Sequence, residues 1–211
     1  MKLYFSRNYN PRLALAVARY LDAPVDYEFA SPFDPAQSDR FRKLNPNLSI
    51  PILEEDDGSS LWEADAIACR LSQLVGSEFW RTGAELPDMI RWISWGYWNF
   101  VRGSDVVHFE RVTKQRYHMG PVDAAKVADG LEEFHRSALK LQAHLTGQDW
   151  LLASGVSYAD YRMACVLPYA DLAGLPLSDY PKVQEWHDRL MTLPFWADPF
   201  DGLFAPELPA I

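Results

Sequence analysis

The sequence has 211 residues, of which 48% are hydrophobic and 14% aromatic; this composition supports a packed core and excludes an intrinsically disordered chain. The formal net charge is −9 at pH 7, and because an acidic surface repels phosphate groups and anionic lipids, we expect neither a nucleic-acid partner nor a membrane partner. No stretch reaches the ~18 apolar residues that a membrane span requires, and no secretory signal pattern is present. Cys69 and Cys165 lie far apart without C-x-x-C spacing, so we expect free thiols in a reducing cytoplasm.

The first part of the chain alternates between strand and helix patterns. Lys2–Phe5 is predicted to be a short strand, and the apolar run at 13–21 is predicted to be a helix. Asn10 is a favourable N-cap residue and Pro11 fits the first helical position, where no N–H group is needed, so we expect this helix to begin there. The alternation of apolar and polar residues in Val25–Phe29 predicts a second strand.

A hairpin and a further helix complete this first region. A short polar helix is predicted near 37–44. Pro51–Leu53 and Leu61–Trp62 are predicted to pair across a turn at Asp56–Ser59, and Asp65–Leu74 has apolar residues on one helical face. The order is therefore β-α-β-α-β-β-α, in which the strand–helix–strand start needs a parallel pair and the hairpin adds antiparallel strands.

The segment 76–85 separates two parts of the chain with different patterns. Its glycine and serine residues predict a flexible linker, and beyond it the strand patterns end. We therefore predict two domains, an α/β domain at residues 1–78 and an all-helical domain at residues 87–211.

The predicted all-helical domain contains a series of helix patterns. One begins near Pro87 and is rich in tryptophan, and another covers Pro121–Leu145 with apolar residues at helical spacing. Ser157 and Asp160 form a capping pattern that opens a further, apolar helix. The last helix is predicted to stop at Pro194.

Four segments of the sequence resemble those of glutathione transferases, and they occur in the family's order. Asn45–Pro51 resembles the N-P-x-G-x-V-P segment, and Glu63–Ile67 resembles the E-S-x-A-I segment. Gly155–Asp160 is similar to the capping motif of the family's sixth helix, and Tyr180–Pro194 is similar to its closing helix. These matches span most of the chain and lie nearest to the bacterial classes, with some similarity to the transferase-like domain of elongation factor 1 gamma.

The resemblance implies both a fold and an activity. The fold is an α/β thioredoxin-like, glutathione-binding domain followed by an all-α helical bundle. The activity is conjugation of the glutathione thiolate to a small, apolar electrophile, in keeping with a role in detoxification. The family uses glutathione as a co-substrate and pairs its subunits as homodimers. No histidine of this sequence lies at metal-ligand spacing, so no metal is expected.

The resemblance assigns glutathione-binding roles to five residues. In the family, the proline that matches Pro51 is cis, and the backbone of the residue that matches Ile50 exchanges hydrogen bonds with the cysteinyl part of glutathione, as an added strand does. Glu63 is expected to accept a charge-assisted hydrogen bond from the γ-glutamyl ammonium group. The N–H groups of Ala64 and Asp65, at a helix N-terminus, are expected to bind the γ-glutamyl carboxylate. The alternative interpretation of this tripeptide is simple helix capping.

The sequence departs from the family pattern at three positions near this site. Ala64 replaces the usual serine, which removes a hydroxyl bond to the carboxylate and weakens binding by about 0.5–1.5 kcal/mol. Leu48 and Ser49 replace the usual glycine and lysine or glutamine, which removes a further polar contact. The basic residues that either bind the glycine carboxylate instead or form a solvated charged face are Arg40, Arg42 and Lys43.

The sequence contains several candidates for the group that activates the glutathione thiol. The family lowers the thiol pKa with a hydroxyl or amide group near the start of the first helix. Asn10 matches the position of a cysteine in beta-class proteins, Tyr9 matches the position of the theta-class serine, and Ser6 lies at the predicted strand end. Asn10 is either a helix N-cap or a donor to the thiolate, and Arg12 adds positive charge one turn into the helix.

The resemblance places the acceptor side of the site along the first loop and the fourth helix. Tyr9, Tyr97, Trp98 and Arg102 are the candidates to contact an aromatic or apolar electrophile. The alternative is a core or a dimer interface, which aromatic residues at helical spacing commonly form.

Two alternatives to conjugation remain open. The missing serine after Glu63 and the lack of a plain catalytic hydroxyl also fit a non-catalytic, transferase-like protein-interaction module, as in the elongation factor. The other alternative keeps glutathione but performs isomerisation, reductive dehalogenation or peroxide reduction. Glutathione binding distinguishes the interaction module from both enzymatic hypotheses, which are conjugation and the other glutathione-dependent reactions.

Overall fold

The computed structural model describes all 211 residues, and the chain divides into two units. The first consists of Met1–Trp80 together with Leu193–Glu207, and the second consists of Arg81–Thr192 together with Leu208–Ile211. Leu193–Glu207 therefore groups with the α/β unit, whereas the sequence prediction placed it in the helical domain. We call Leu193–Glu207 the C-terminal strap.

The first unit is built on a four-stranded mixed sheet. Its strands are β1 (Lys2–Phe5), β2 (Asp26–Phe29), β3 (Ile52–Glu54) and β4 (Ser60–Trp62), in the spatial order β2-β1-β3-β4. β1 pairs parallel with β2 and antiparallel with β3, and β3 pairs antiparallel with β4. The predicted α/β thioredoxin-like fold, with its parallel start and its closing hairpin, is confirmed.

Three helices complete the predicted βαβαββα order: α1 (Tyr9–Tyr20), α2 (Ser38–Leu44) and α3 (Ala64–Val75). α1 packs against both β1 and α3, and residues 11–18 are consequently buried all around the helix. α3 ends at Gly76, whose φ of +66° is the left-handed conformation that glycine adopts without steric cost at a helix end.

α1 begins two residues earlier than the sequence predicted. Asn8 is the N-cap residue, and the Arg12 N–H donates to the Asn8 carbonyl oxygen at 2.9 Å. The prediction that Asn10 caps this helix and that Pro11 occupies its first position is therefore wrong. Pro11 is tolerated at the third helical position because the first four N–H groups of a helix have no intrahelical partner.

The second unit contains only helices and turns, as predicted. One nearly continuous helical stretch consists of α4 (Leu86–Gly96), a π-helical turn (Tyr97–Val101), α5 (Arg102–His108), a second π-helical turn (Phe109–Thr113) and α6 (Lys114–Arg116). The remaining helices are α7 (Ala124–Leu145), α8 (Tyr158–Ala164), α9 (Ala170–Ala173) and α10 (Pro181–Met191). Short 3₁₀ turns lie at Gly83–Glu85, Leu167–Tyr169 and Leu177–Asp179. None of these helices combines the length and the hydropathy required to cross a lipid bilayer.

The predicted capping pattern at Ser157 and Asp160 is confirmed. Both halves of a capping box are present at the start of α8. The Asp160 carboxylate is fully buried and also accepts hydrogen bonds from the Leu151 N–H at 2.9 Å and from the Trp186 indole N–H at 3.0 Å. One carboxylate therefore joins α8, the loop before it and α10.

Candidate functional site

The carboxyl ends of β1 and β4 lie at the same edge of the sheet, where β3 begins. Both strands run antiparallel to β3, and Ile52 at the start of β3 pairs with Tyr4 on one side and Trp62 on the other. β1 leads into α1 and β4 leads into α3, and the two helices pack against each other. This edge carries the candidate residues of the first unit, which are Ser6, Tyr9, Asn10, Ile50, Pro51, Glu63, Ala64 and Asp65.

The segment before β3 offers backbone hydrogen-bonding groups that the fold does not use. The Ile50–Pro51 peptide bond is cis, which confirms the conformation that the family resemblance implied. The Ile50 backbone makes no hydrogen bond within the protein, while its side chain packs against the core cluster that contains Phe41 and Ile52. Ile50 is thus anchored through its side chain, and its N–H and C=O groups remain available to an extended ligand.

Glu63 has a strained backbone at the junction of β4 and α3. Its φ is 75°, in the region that favours glycine, and its ψ is 128°. Such a conformation costs on the order of 1–3 kcal/mol in a residue other than glycine, and it is concentrated at functional sites. The Glu63 side chain is exposed and makes no capping hydrogen bond to α3. Glu63 is thus the N-cap residue of α3 by position, while its carboxylate takes no part in the cap.

The amino end of α3 has the features of an anion-binding site. A helix of 12 residues has a partial positive charge at its first turn, where the N–H groups lack intrahelical partners. The Ala64 N–H makes no hydrogen bond within the protein. Ala64 is 3% exposed, so a buried methyl group fills the position where the family has a serine hydroxyl.

The candidate thiol-activating groups lie in the loop between β1 and α1 and in the first turn of α1. Ser6 is buried, and its Oγ lies 3.5 Å from the Asn8 backbone nitrogen, at the long limit of a hydrogen bond. Tyr9 and Asn10 occupy the first two positions of α1 and are half-buried. Because Asn8 is the N-cap residue, the Asn10 carboxamide does not serve as the helix cap.

Arg40, a candidate to bind the glycine carboxylate, is committed to contacts within the first unit. It donates to the Glu28 carboxylate at 2.6 Å and to the Tyr4 hydroxyl at 2.7 Å. Burial and a hydrogen bond to Glu54 raise the pKa of Tyr4 to about 12, so this phenol stays neutral and keeps Arg40 in place. The other two basic candidates, which are exposed and lie outside this network, are Arg42 and Lys43.

The aromatic acceptor-side candidates of the second unit are exposed. Tyr97 and Trp98 begin the first π-helical turn, and 45% and 63% of their respective surfaces are exposed. Their rings meet edge to face with centroids 5.3 Å apart. Arg102 is also exposed and lies 3.9 Å from the Glu133 carboxylate. These three residues therefore do not belong to the core, and their surfaces remain available for a ligand or a partner subunit.

The C-terminal strap is the part of the first unit that the sequence analysis missed. It contains neither helix nor strand, and its backbone carbonyl oxygens accept hydrogen bonds from Arg7, Arg12 and Arg19. The only signal in the sequence is the spacing of Arg12 and Arg19, which lie seven residues apart and hence on one face of α1.

Two family models match this chain. The model described as "Glutathione S-transferase, N-terminal domain" matches residues 1–71, and the model described as "Glutathione S-transferase, C-terminal domain" matches residues 124–189. The chain belongs to the glutathione S-transferase family. The match to the N-terminal domain of the transferase family contains every candidate residue of the sheet edge. The match to the C-terminal domain contains α7 and α8.

The relatives of this glutathione S-transferase family member include a glutathione S-transferase-like protein and elongation factor 1-gamma. The glutathione S-transferase-like protein LUC7 of a Fusarium species is 28% identical over 159 residues, which cover 71% of this chain and 68% of that protein. Elongation factor 1-gamma of Equus caballus is 28% identical over 169 residues, which cover 77% of this chain. The match covers 37% of the elongation factor, so the chain corresponds to little more than a third of that protein.

Solved glutathione S-transferases share the fold of this chain along nearly its whole length. One from Rhodospirillum rubrum has a TM-score of 0.83 at 21% identity, covering 99% of this chain and 96% of the other. One from Methylobacillus flagellatus with glutathione bound has a TM-score of 0.78 at 22% identity, covering 98% and 99% of the two chains. At these identities the similarity shows the fold alone.

Proposed function

We propose that this protein is a glutathione transferase that conjugates the glutathione thiolate to a small, apolar electrophile. The observation that carries the proposal is the strained Glu63 directly before the unbonded Ala64 N–H at the amino end of α3. Glycine at position 63 would relieve this strain. A glutamate there is therefore best explained by a function of its carboxylate.

The proposed binding mode uses backbone and side-chain groups of the sheet edge. Glutathione lies extended beside Ile50, whose N–H and C=O groups pair with the cysteinyl part of the tripeptide. Glu63 accepts a charge-assisted hydrogen bond from the γ-glutamyl ammonium group. The N–H groups of Ala64 and Asp65 bind the γ-glutamyl carboxylate, as the positive end of a helix favours an anion.

Thiol activation is proposed to come from the start of α1. The thiol loses its proton to solvent, and a hydrogen bond from Asn10, Tyr9 or Ser6 stabilises the thiolate together with the positive end of the helix. The sulfur then attacks the electrophilic carbon and forms the new carbon–sulfur bond, while the bond from that carbon to the leaving group breaks and the leaving group departs with its electron pair. Asn10 is our first choice, because it lies at the second position of α1 and its carboxamide carries N–H donors.

Further parts of the proposal follow from the family. Tyr97, Trp98 and Arg102 remain the candidates to contact the electrophile, since they are exposed. The protein is proposed to act as a homodimer in a reducing cytoplasm, which suits the free thiols of Cys69 and Cys165.

A second candidate function is a non-catalytic protein-interaction module. The similarity to elongation factor 1-gamma favours it, and so does Ala64, which lacks the hydroxyl that the family uses to bind glutathione. Such a module keeps the fold and does not need to bind glutathione.

Calorimetric titration with glutathione tests the proposal. We expect the wild-type protein to bind and Glu63→Gln to bind about 10- to 100-fold more weakly, because a hydrogen bond to a charged group contributes about 1.5–3 kcal/mol. Glu132→Gln changes an exposed carboxylate on α7 and is the matched control, which should bind as the wild type does.

Two results decide between the candidate functions. Absence of binding by the wild type at millimolar glutathione would contradict the transferase proposal and favour the interaction module. Where binding is found, a screen of aromatic halides, epoxides and peroxides distinguishes conjugation from isomerisation, dehalogenation and peroxide reduction.

A further inference from the structure

Arg7 ties the loop between β1 and α1 to the C-terminal strap. Its Nε donates to the carbonyl oxygens of Ala205 and Pro206, each at 3.1 Å, and its Nη2 donates to Ala205 at 2.8 Å. Nη2 also lies 2.6 Å from the Glu207 carboxylate, and the guanidinium is 4.5 Å from the centroid of the Phe200 ring. Arg7 therefore holds the strap by several hydrogen bonds, an ion pair and an aromatic contact.

The other two arginines bind the same strap along α1. Arg12 is buried and donates to the carbonyl oxygen of Trp196. Arg19, in the last turn of α1, donates to the carbonyl oxygens of Pro199 at 2.8 Å and Asp201 at 2.6 Å. The strap lacks helix and strand pairing, so these guanidinium groups supply donors that its backbone would otherwise obtain from water.

Arg7 differs from the other two arginines in its position. It lies in the loop itself, between Ser6 and Asn8, and only the N-cap residue Asn8 separates it from Tyr9, the first residue of α1. Arg12 and Arg19 lie within α1, where the helix already fixes the backbone. A change at Arg7 therefore acts on the short segment that carries all three candidate thiol-activating groups.

We propose that Arg7 is a positioning residue that holds the loop Ser6–Asn10 in its functional conformation by anchoring it to the C-terminal strap. The effect of Arg7 on thiol activation rests on the proposed function, because the loop carries the candidate thiol-activating residues Ser6, Tyr9 and Asn10. A hydrogen bond to a thiolate weakens steeply when its geometry is poor, so a loosened loop leaves the bound thiol protonated at neutral pH.

Two substitutions of Arg7 distinguish a role in holding the loop from a role of its positive charge. Lysine keeps the positive charge and the ion pair with Glu207, but it lacks the planar fork that binds neighbouring carbonyl oxygens. If Arg7 acts by holding the loop, Arg7→Lys resembles Arg7→Gln. If Arg7 acted only through its charge, Arg7→Lys would behave as the wild type.

The first experiment measures amide hydrogen exchange of residues 6–10 in the ligand-free protein. In Arg7→Gln we expect exchange about tenfold faster or more, because hydrogen bonds to a charged group are lost. Arg19→Gln is the matched control, since it removes the same kind of contact to the same strap at the other end of α1. It should leave exchange of residues 6–10 at the wild-type rate.

The second experiment measures the thiolate fraction of bound glutathione by ultraviolet absorbance as a function of pH. We expect the pKa of the bound thiol to rise by about one unit in Arg7→Gln and in Arg7→Lys, a tenfold fall in the ratio of thiolate to thiol, and to stay unchanged in Arg19→Gln. Unchanged loop exchange in Arg7→Gln, or a wild-type thiolate fraction in Arg7→Lys, would overturn the inference. If the wild type binds no glutathione, the proposed function fails, and the exchange comparison alone decides whether Arg7 holds the loop.

Discussion

Ala64 is the residue that we expect to limit the strength of glutathione binding. The amino end of α3 offers backbone N–H groups to an anion, but the side chain at its first position is a buried methyl group. Ala64→Ser restores a hydroxyl donor to the carboxylate and should tighten glutathione binding by about 0.5–1.5 kcal/mol, a factor of about two to ten. Calorimetric titration measures this difference directly.

A serine elsewhere in the same turn provides the control for this prediction. Ala66→Ser adds the same hydroxyl to the first turn of α3, at a position that the binding mode does not use, and should leave the affinity unchanged. Equal affinity of Ala64→Ser and the wild type would show that the ligand carboxylate does not bind at this position.

Glu63 and Asn8 show what a local motif can predict about this site. The motif identified the residues of the sheet edge and the cis bond before Pro51, because both belong to short contiguous patterns. It could not predict the positive φ of Glu63, which the surrounding structure imposes. It also predicted Asn10 as the helix cap, whereas the structure has Asn8; both are favourable N-cap residues, and the choice depends on how α1 packs against β1 and α3.

At the scale of elements, α5 and α7 approach each other through two glycines. A Cβ atom on Gly103 would lie 2.7 Å from the Phe134 backbone nitrogen and 3.0 Å from the Gly130 carbonyl oxygen. These are backbone atoms of a long helix and cannot move alone, so Gly103→Ala must push the helices apart. We expect it to lower the free energy of unfolding by about 1–3 kcal/mol, measured by urea denaturation.

Gly96→Ala is the matched control on the same helical stretch. A Cβ atom there would meet the end of the Met163 side chain, with Cε and Sδ at 2.8 Å, and this flexible side chain can rotate away. Alanine also favours a helix over glycine by about 1 kcal/mol, so Gly96→Ala should stay close to wild-type stability. If Gly96→Ala lowered the free energy of unfolding as much as Gly103→Ala, this result would contradict the argument that backbone contact makes alanine costly at position 103.

At the scale of the whole molecule, the C-terminal strap marks the limit of sequence-based reasoning. The strand and helix order followed from patterns that repeat over a few residues, and it was confirmed. The strap has no such period, and its contacts join distant parts of the chain: Arg7 and Ala205 are 198 positions apart. An arginine that binds a backbone carbonyl oxygen does not require any particular side chain at the partner residue. The pair therefore cannot be recognised in one sequence.

The stability of the whole molecule should depend on pH through His108 in the second unit. Burial, and to a smaller extent the nearby charge of Arg116, lowers the pKa of His108 from 6.5 to about 4. Between these values the unfolded chain binds a proton at this residue and the native protein does not. The free energy of unfolding should therefore fall as the pH decreases from about 6.5 to about 4, with no contribution of this residue to the slope above or below that window.

Urea denaturation across this range tests the role of His108. His108→Gln should show a shallower pH dependence of the free energy of unfolding than the wild type, by a slope that corresponds to at most one bound proton. His118→Asn, at an exposed position, should keep the wild-type slope. An unchanged slope in His108→Gln would mean that His108 titrates in the native protein as it does in the unfolded chain.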